Sequence, residues 1–540
     1  MLLSKGKQAS ALELMERQVM NEQTAFANKF ADDIEAVISC HDRVIFRGHL
    51  FRGNNAHLNA YVDYLGLRRK DFIPLMEQFT HQLVEHAKQL AEQAGAPYEP
   101  PRAKYAKEKF VDAIDRQRQH PQGLLAVLCA MENCRAIKLQ YAEGKPRLKF
   151  SRRLQRVLYF YFNDPDFDRI YLRIETWFPF TVQVYVNGHN WLAQQMVRRR
   201  MGFVQDDNAF IQVDQPVKVQ KLANQFVNID WVARLDKWIA PLMPVLKHQY
   251  LRTKRYYWTI EQCEYSTDLI FRSQERLAAL FPLLLRHALT CFSAKDILTF
   301  LGRRYHERFD GEVITSYKDR RHPGARIKHA MKANWIKMYD KLSKMIRIET
   351  VINQPSEFRI LRHGTKKGEK VLDWFPMAKR ATNLWRYTEI ASKANAHYLD
   401  ALATIDDITK ALQTMENVCK PAGQGRKRRR ALKPIHADDQ ALFRAVMQGE
   451  HIAYGFRNKH IAFQMYPLPT NDPKLRKKRS SAVTRRLQML RVHGLIRKAP
   501  RATKYHITQK GFLVMGSAIS LRDHFIPNMI ERLRCLANAS

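Results

Sequence analysis

Apolar residues along this chain recur at two periods, and the period changes from segment to segment. Over 9–38, Leu12, Leu14, Met15, Val19, Phe26, Phe30 and Ile34 form a stripe that predicts a helix. Residues 42–50 (DRVIFRGHL) alternate as a short strand broken near Gly48. Helices are expected over 70–94 and 106–115, separated by Pro97, Pro100 and Pro101. From Gly123 the pattern predicts a helix, then a hairpin turning at Gly144-Lys145-Pro146. Residues 170–188 are strand-like, interrupted at Phe178-Pro179 and closed by the turn pair Asn187-Gly188. A helix over 191–201 carries Arg198, Arg199 and Arg200. The region 215–300 is mostly helical by pattern, with 277–285 (LAALFPLLL) buried and 255–271 more strand-like; 382–420 reads as two helices.

The C-terminal pattern is the most regular. Asp472-Pro473 offers a helix start, because Asp caps free amides and Pro tolerates the first helical position. Gly494 offers the stop. Val483, Leu487 and Leu490 share one face, so Ser481, Thr484, Arg485, Arg486, Gln488 and Arg491 point elsewhere. Strands over 495–498 and 504–508 follow, joined by a turn at 500–503, and helices over 438–448 and 458–466 precede. A helix fits the major groove, where Arg and Gln make paired hydrogen bonds to base edges. Arg497, Lys498, Arg501 and Lys504 on the ribbon suit phosphates. The plainer alternative is an amphipathic helix with a solvated basic face. The run RRLQMLRVHGLIRKAPRATKYHITQKG resembles the winged helix-turn-helix modules of bacterial regulators.

Charge strengthens that expectation. The 540 residues carry a formal charge of +39 and a pI near 10.0. Such a field attracts polyanions, so nucleic acid is the expected partner, DNA first and RNA second. Residues 421–510 hold 22 Lys/Arg against 4 Asp/Glu, leaving a surplus of 21 on the rest of the chain. In the body, Arg326, Lys328 and Lys337 form a second candidate phosphate surface, with Trp335 and Tyr339 stacking or packing beside it. With 45% hydrophobic residues the chain is globular. The expected architecture is an α+β multidomain protein, a mixed helix/sheet body with a C-terminal winged helix-turn-helix. The segments are 1–122 (mostly helical), 123–381 (α+β body), 382–420 (helical), 421–435 (basic linker) and 436–540 (winged helix). No run approaches the ~18 apolar residues of a membrane span. The seven cysteines show no zinc spacing, so a cytoplasmic protein with reduced thiols is expected, and homo-oligomerisation is compatible with the pattern.

No phosphate loop, dinucleotide fingerprint, zinc-protease motif or nucleophile elbow is present. Two constellations remain. Asp42, Glu175, Asp268 and Glu349 sit on or beside strand-like stretches; if they converged they would hold Mg²⁺ or Mn²⁺ for phosphodiester cleavage. Against this, Glu175 and Glu349 each have Arg two residues before, so a same-face ion pair explains them without metal. Tyr339, with His322 and His329 nearby, is a candidate nucleophile faintly similar to rolling-circle initiators. A pentapeptide also recurs: LRIET at 172–176 and IRIET at 346–350.

Several longer stretches are similar to a family of bacterial proteins associated with multi-copy, mobile-element-like genes. They are HDRVIFRGHL, RIETWFPFTVQVYVNGHNWLAQQM, FDGEVITSYKDRRHPGARIKHAMKANWIKMYDK, RIETVIN and HGLIRK. The resemblance implies a bacterial, cytoplasmic, DNA- or RNA-associated protein of transposase or recombinase kinship, and identifies no catalytic residue. The expected function is a nucleic-acid-binding protein of a mobile element that cleaves or transfers DNA strands. The alternatives are a non-enzymatic winged-helix regulator and an RNA-binding component.

Overall fold

Strand formation dominates where the sequence pattern is ambiguous, as the first long element shows. The computed structural model describes residues 24–100, 107–142, 144–303, 311–319, 324–366, 368–405, 415–425, 428–499 and 503–526. After the short helix α1 (Ala25–Lys29), strand β1 (Ile34–His49) buries alternate residues, including Ile34, Ala36, Ile38 and Cys40. A helix was expected through residue 38. Phe30, Ile34 and Ile38 are spaced by four, which satisfies a period of two as well as a helical turn. The earlier part of that expected helix, 9–23, lies outside the described residues.

Helices α2 (Asn55–Tyr64), α3 (Phe72–Gln93) and α4 (Lys107–Gln117) follow, with the two-residue strand β2 (Tyr98–Glu99) before α4. Then come β3 (Gly123–Ala142) and β4 (Lys145–Asp164), paired antiparallel from Gly123↔Asn163 to Ala142↔Lys145. The helix expected after Gly123 is therefore a strand. Leu125–Cys129 are buried consecutively; a continuous apolar run does not distinguish a buried strand from a buried helix, and cross-strand pairing overrides helix propensity here. Strands β5 (Asp168–Glu175) and β6 (Val182–Asn187) flank the cis Phe178-Pro179 bond. Asn187 does not close a hairpin: its side chain accepts from the amides of His189 and Asn190, capping α5 (Gly188–Arg198). The ribbon β7 (Phe203–Asp206) and β8 (Ala209–Val213), helices α6 (Pro216–Ala223) and α7 (Trp231–Ile239), and strand β9 (Tyr257–Phe271) follow.

The chain continues through α8 (Gln274–Cys291), α9 (Ala294–Phe300), β10 (Val313–Lys318), β11 (Arg326–Met331), β12 (Asn334–Lys341) and β13 (Met345–Ile352). The ribbon β14 (Arg359–Lys366) and β15 (Glu369–Pro376) precedes α10 (Leu384–Leu402). The C-terminal elements are α11 (Ala437–Val446), α12 (Gly449–Tyr454), α13 (Asn458–Met465), α14 (Pro473–Val492), β16 (Ile496–Lys498), β17 (Tyr505–Ile507) and α15 (Gln509–Ser520).

These elements make a mixed α+β protein of two compact units that interleave along the chain. One unit joins Met1–Val37, Thr267–Thr350 and Ile390–Ser540; the other joins Ile38–Ser266 and Val351–Glu389. Each follows the same plan. In the second unit β1 leads through helices to the meander β3–β4–β5–β6, whose last strand pairs antiparallel with β1; β2 joins β3 in parallel. In the first unit β9 leads through α8 and α9 to the meander β10–β11–β12–β13, whose last strand neighbours β9. The recurring pentapeptides fall on β5, third in its meander, and β13, fourth in its own, so they do not occupy equivalent strands. Among the described residues no single helix is long and apolar enough to cross a membrane.

Candidate nucleic-acid interface

Within the first unit, α11, α13, α14, the β16–β17 ribbon and α15 share one core. Leu442, Phe443 and Val446 meet Ile461, Val483, Leu487, Leu490, Leu495, Ile496, Val514 and Met515 there. The side chain of Asp472 accepts from the amide of Lys474 at 2.9 Å and starts α14, with Pro473 in its first turn. Gly494, at φ +76°, ends it in the left-handed conformation that glycine adopts without strain. The ribbon pairs Ile496↔Ile507, Arg497↔His506 and Lys498↔Tyr505. The hydroxyl of Thr508 donates to the Gly494 carbonyl at 2.6 Å and accepts from the Gly511 amide at 3.0 Å, which fastens α15 to the end of α14.

The packing sorts the sequence-predicted contact residues into two groups. Ser481, Arg485 and Arg491 are exposed on α14, and their side chains have no hydrogen-bond or ion-pair partner among the described residues; the side chains of Arg497 and Lys498 on the ribbon share that condition. Thr484, Arg486 and Gln488 are engaged. Thr484 accepts from Asn458 Nδ2 at 2.8 Å and donates to the Ser480 carbonyl at 3.0 Å. Arg486 reaches Tyr466 Oη at 3.2 Å. Gln488 Oε1 accepts from Arg429 at 3.2 Å. Arg501 lies outside the described residues. Burial, then the cations of Lys504 and Arg497, hold His506 below its ordinary value. The first two turns of α14 add exposed Lys474, Arg476, Lys477 and Lys478, which were not among the residues expected to contact nucleic acid.

The basic stretch read as a linker is fixed to this module. Leu432 is buried in its core, Arg430 makes two hydrogen bonds to Asp439 (3.0 and 2.5 Å), and the Arg430 carbonyl bonds His493 Nε2 at 2.9 Å. Leu432, Asp439 and His493 thus anchor the end of a run that composition alone marks as self-repelling.

The second basic surface is partly consumed by its neighbours. Lys328 lies opposite Lys337 across β11 and β12, but its ammonium sits 3.7 Å from the Trp335 ring centroid. Burial, then Lys337, Arg326 and Lys318, push Lys328 below its ordinary value. Lys337 forms an ion pair with Glu349, so it is not the open phosphate contact expected of it. Tyr339 is buried and donates to Glu349 Oε2 at 2.9 Å. His329 is buried, shares hydrogen bonds with Thr315 and Tyr398, and is pushed down to about 4 by burial, so its neutral ring is a packing element. His322 lies outside the described residues.

The four candidate acids are each engaged inside their own unit. Glu175 accepts from Arg173 Nη1 at 3.0 Å, and Arg173 also binds Glu132, which Tyr159 and Lys107 hold from the other side. Asp268 receives a forked pair from Arg347, Nε to Oδ1 at 2.6 Å and Nη2 to Oδ2 at 2.7 Å. Glu349, two residues beyond Arg347, takes Lys337 and Tyr339 instead. Asp42 accepts from Asn208 at 2.6 Å, and His189 Nδ1 stands 3.6 Å away. In the second unit Asp42 is brought not to Glu175 but to Glu264, a carboxylate within 4.8 Å that the sequence reading did not select. Both are buried, and Arg43 approaches Glu264 at 4.0 Å. Alternation along β9 was the available signal, since Glu264 lies four residues before Asp268 on the same strand. Comparison with family models, with curated proteins and with solved structures finds no match to this chain.

Proposed function

We propose that this chain is a cytoplasmic nucleic-acid-binding protein, with its C-terminal elements acting as a winged helix-turn-helix that reads duplex DNA. The observation that carries the proposal is the division of α14. Val483, Leu487 and Leu490 face the core, while Arg485 and Arg491, like Arg497 and Lys498 of the ribbon that follows, are exposed and uncommitted. In this role α13 supports α14, α14 lies in the major groove, and the ribbon follows the phosphates. The likeness to mobile-element-like bacterial proteins supports a DNA-handling role of that kind.

The test is selection of a preferred sequence from a random duplex pool, followed by titration of the full chain. Arg485→Ala should cost about 1–3 kcal/mol on the selected sequence and less on random duplex. Equal losses on both would reduce Arg485 to a phosphate contact, and failure to bind duplex at modest salt would overturn the proposal.

One observation favours a second reading, metal-dependent strand cleavage. Asp42 and Glu264 are buried within 4.8 Å of each other, a like-charge proximity that a divalent cation would relieve. Nicking of supercoiled DNA with Mg²⁺ or Mn²⁺, abolished by Asp42→Asn, is its signature. Nicking that survives Asp42→Asn together with Glu264→Gln would remove it.

A further inference from the structure

We propose that the second unit carries a phosphodiester-binding cleft of its own, formed where the residues just past α5 meet α6 and lined by Arg199, Arg200, Lys218 and Lys221. The inference rests on the nucleic-acid reading above and adds to it a contact separate from α14. The cleft has a volume of about 350 Å³, and Met201, Gln215 and Leu222 complete its lining. No acidic side chain lines it.

Four cations around one concavity repel one another unless an anion enters. Several arginines of this unit are neutralised by carboxylates. Arg169 binds Asp112 and Asp115, Arg173 binds Glu132 and Glu175, and Arg234 binds Asp166. Even Arg198, next in sequence to the cleft residues, is paired with Asp166 at 2.6 Å. Arg200, Lys218 and Lys221 have no carboxylate partner among the described residues, and all three are exposed. Arg199 is oriented by its own helix: Nη1 donates to the Gln195 carbonyl and to Gln195 Oε1, both at 3.1 Å. Arg200 follows with φ +52°, in the left-handed region where the chain turns away from α5. From α6, Lys218 and Lys221 are three apart and so share a helical face.

A basic run at the end of a helix also complements the helix dipole, and that would suffice for Arg199. It would serve Lys221 in the last turn of α6 as well, but it does not account for Lys218 in the first half of that helix, which meets the same cleft. The ligand class follows from the lining. No aromatic ring is available to stack a base, and only Met201 and Leu222 are apolar, so the cleft fits a sugar–phosphate backbone and not a nucleobase or free nucleotide.

The experiment uses the full chain with Arg200→Glu combined with Lys218→Glu, and separately with Lys218→Gln combined with Lys221→Gln. These positions are exposed, and circular dichroism verifies that each variant is folded. Affinity for a long duplex and for a structured RNA is measured over a salt series. The neutralising pair removes about two phosphate contacts, so the slope of log affinity against log salt should flatten by about 1.8, at about 0.9 per contact for duplex. Between about 50 and 200 mM salt the wild-type advantage should then shrink by about twelvefold. The loss should be the same on every sequence, whereas Arg485→Ala discriminates between sequences, so the two contacts succeed or fail separately. An unchanged slope in both variants overturns the proposal. So does a loss confined to vesicles of phosphatidylcholine and phosphatidylserine, with nucleic-acid binding intact, which would assign the cleft to a membrane surface.

Discussion

Replacing Asp268 with asparagine tests whether this acid is structural or chemical, because the two roles predict opposite signs. Its partner Arg347 has a fully buried side chain, and the Asp268 side chain is 3% exposed. The amide keeps one acceptor but removes the negative charge, and a guanidinium cannot shed its proton to escape. Breaking a buried pair from one side costs about 3–5 kcal/mol. With about 1.4 kcal/mol per factor of ten, backbone amides of β9 and β13 should exchange hydrogen about two to three and a half decades faster in Asp268→Asn. Peptide-resolved hydrogen exchange is the suitable assay, since a chain of two compact units has no single unfolding free energy. Removing both charges, as Asp268→Leu with Arg347→Met, should recover protection to within about tenfold of the wild type, because an apolar pair of similar volume replaces an ion pair at little net cost. Carboxylates kept for catalysis behave differently, since neutralising them commonly leaves the fold unharmed or steadier. A loss of less than tenfold in Asp268→Asn, or a double variant no better than the single, would refute the structural assignment.

Two further perturbations follow from the packing. In Gly511→Ala the new Cβ would stand 1.9 Å from the Leu495 carbonyl oxygen; relieving that clash should cost about 1–3 kcal/mol and raise the protease sensitivity of 473–520 in limited digestion. His41 is buried against Phe226 and Tyr265, and burial, then His189, pushes it from 6.5 to about 3. The unfolded chain therefore binds its proton first on acidification. The stability from neutral His41 is present above pH 6.5 and is lost as pH falls toward 3, by about 2 kcal/mol at pH 5. Melting curves at pH 7.5 and 5 should show a drop that shrinks in His41→Gln, and an unchanged drop would count against a buried neutral ring.

The sequence exposes this fold where one period excludes the other. Helix α3 came within a few residues of the expected 70–94 because Met76, Phe79, Leu83, Ala87 and Ala91 fit only a helical turn. The strand expected at 42–50 is the second half of β1, but the start of β1 and the start of β3 were read as helix because their spacing or continuity fits both periods, and what decides them is a partner strand far away in sequence. The interleaving of the two units is hidden for the same reason. Thr267–Thr350 joins Ile390–Ser540 through packing that leaves no punctuation in composition, while the Gly- and Arg-rich run near 421–430 looks like a boundary yet is held by Leu432 and Asp439.

Side-chain availability was legible only in part, and the exceptions share a cause. Arg485 is two positions from Val483, about 200° around the helix, so its exposure follows from periodicity alone. The engagement of Arg486 by Tyr466, of Thr484 by Asn458 and of Lys337 by Glu349 depends on partners 20, 26 and 12 residues distant. A formal charge of +39 counts cations, and the partners decide which of them still carry an unbalanced field. On α14 the uncommitted Arg485 lies opposite the buried face, and Arg199 and Arg200, just past α5, meet Lys218 and Lys221 of α6 at one concavity. A charge run that is only a solvated surface would distribute its free cations without regard to faces or clefts. Four that meet at one cleft from separate elements are better explained by phosphate contact than by solvation alone.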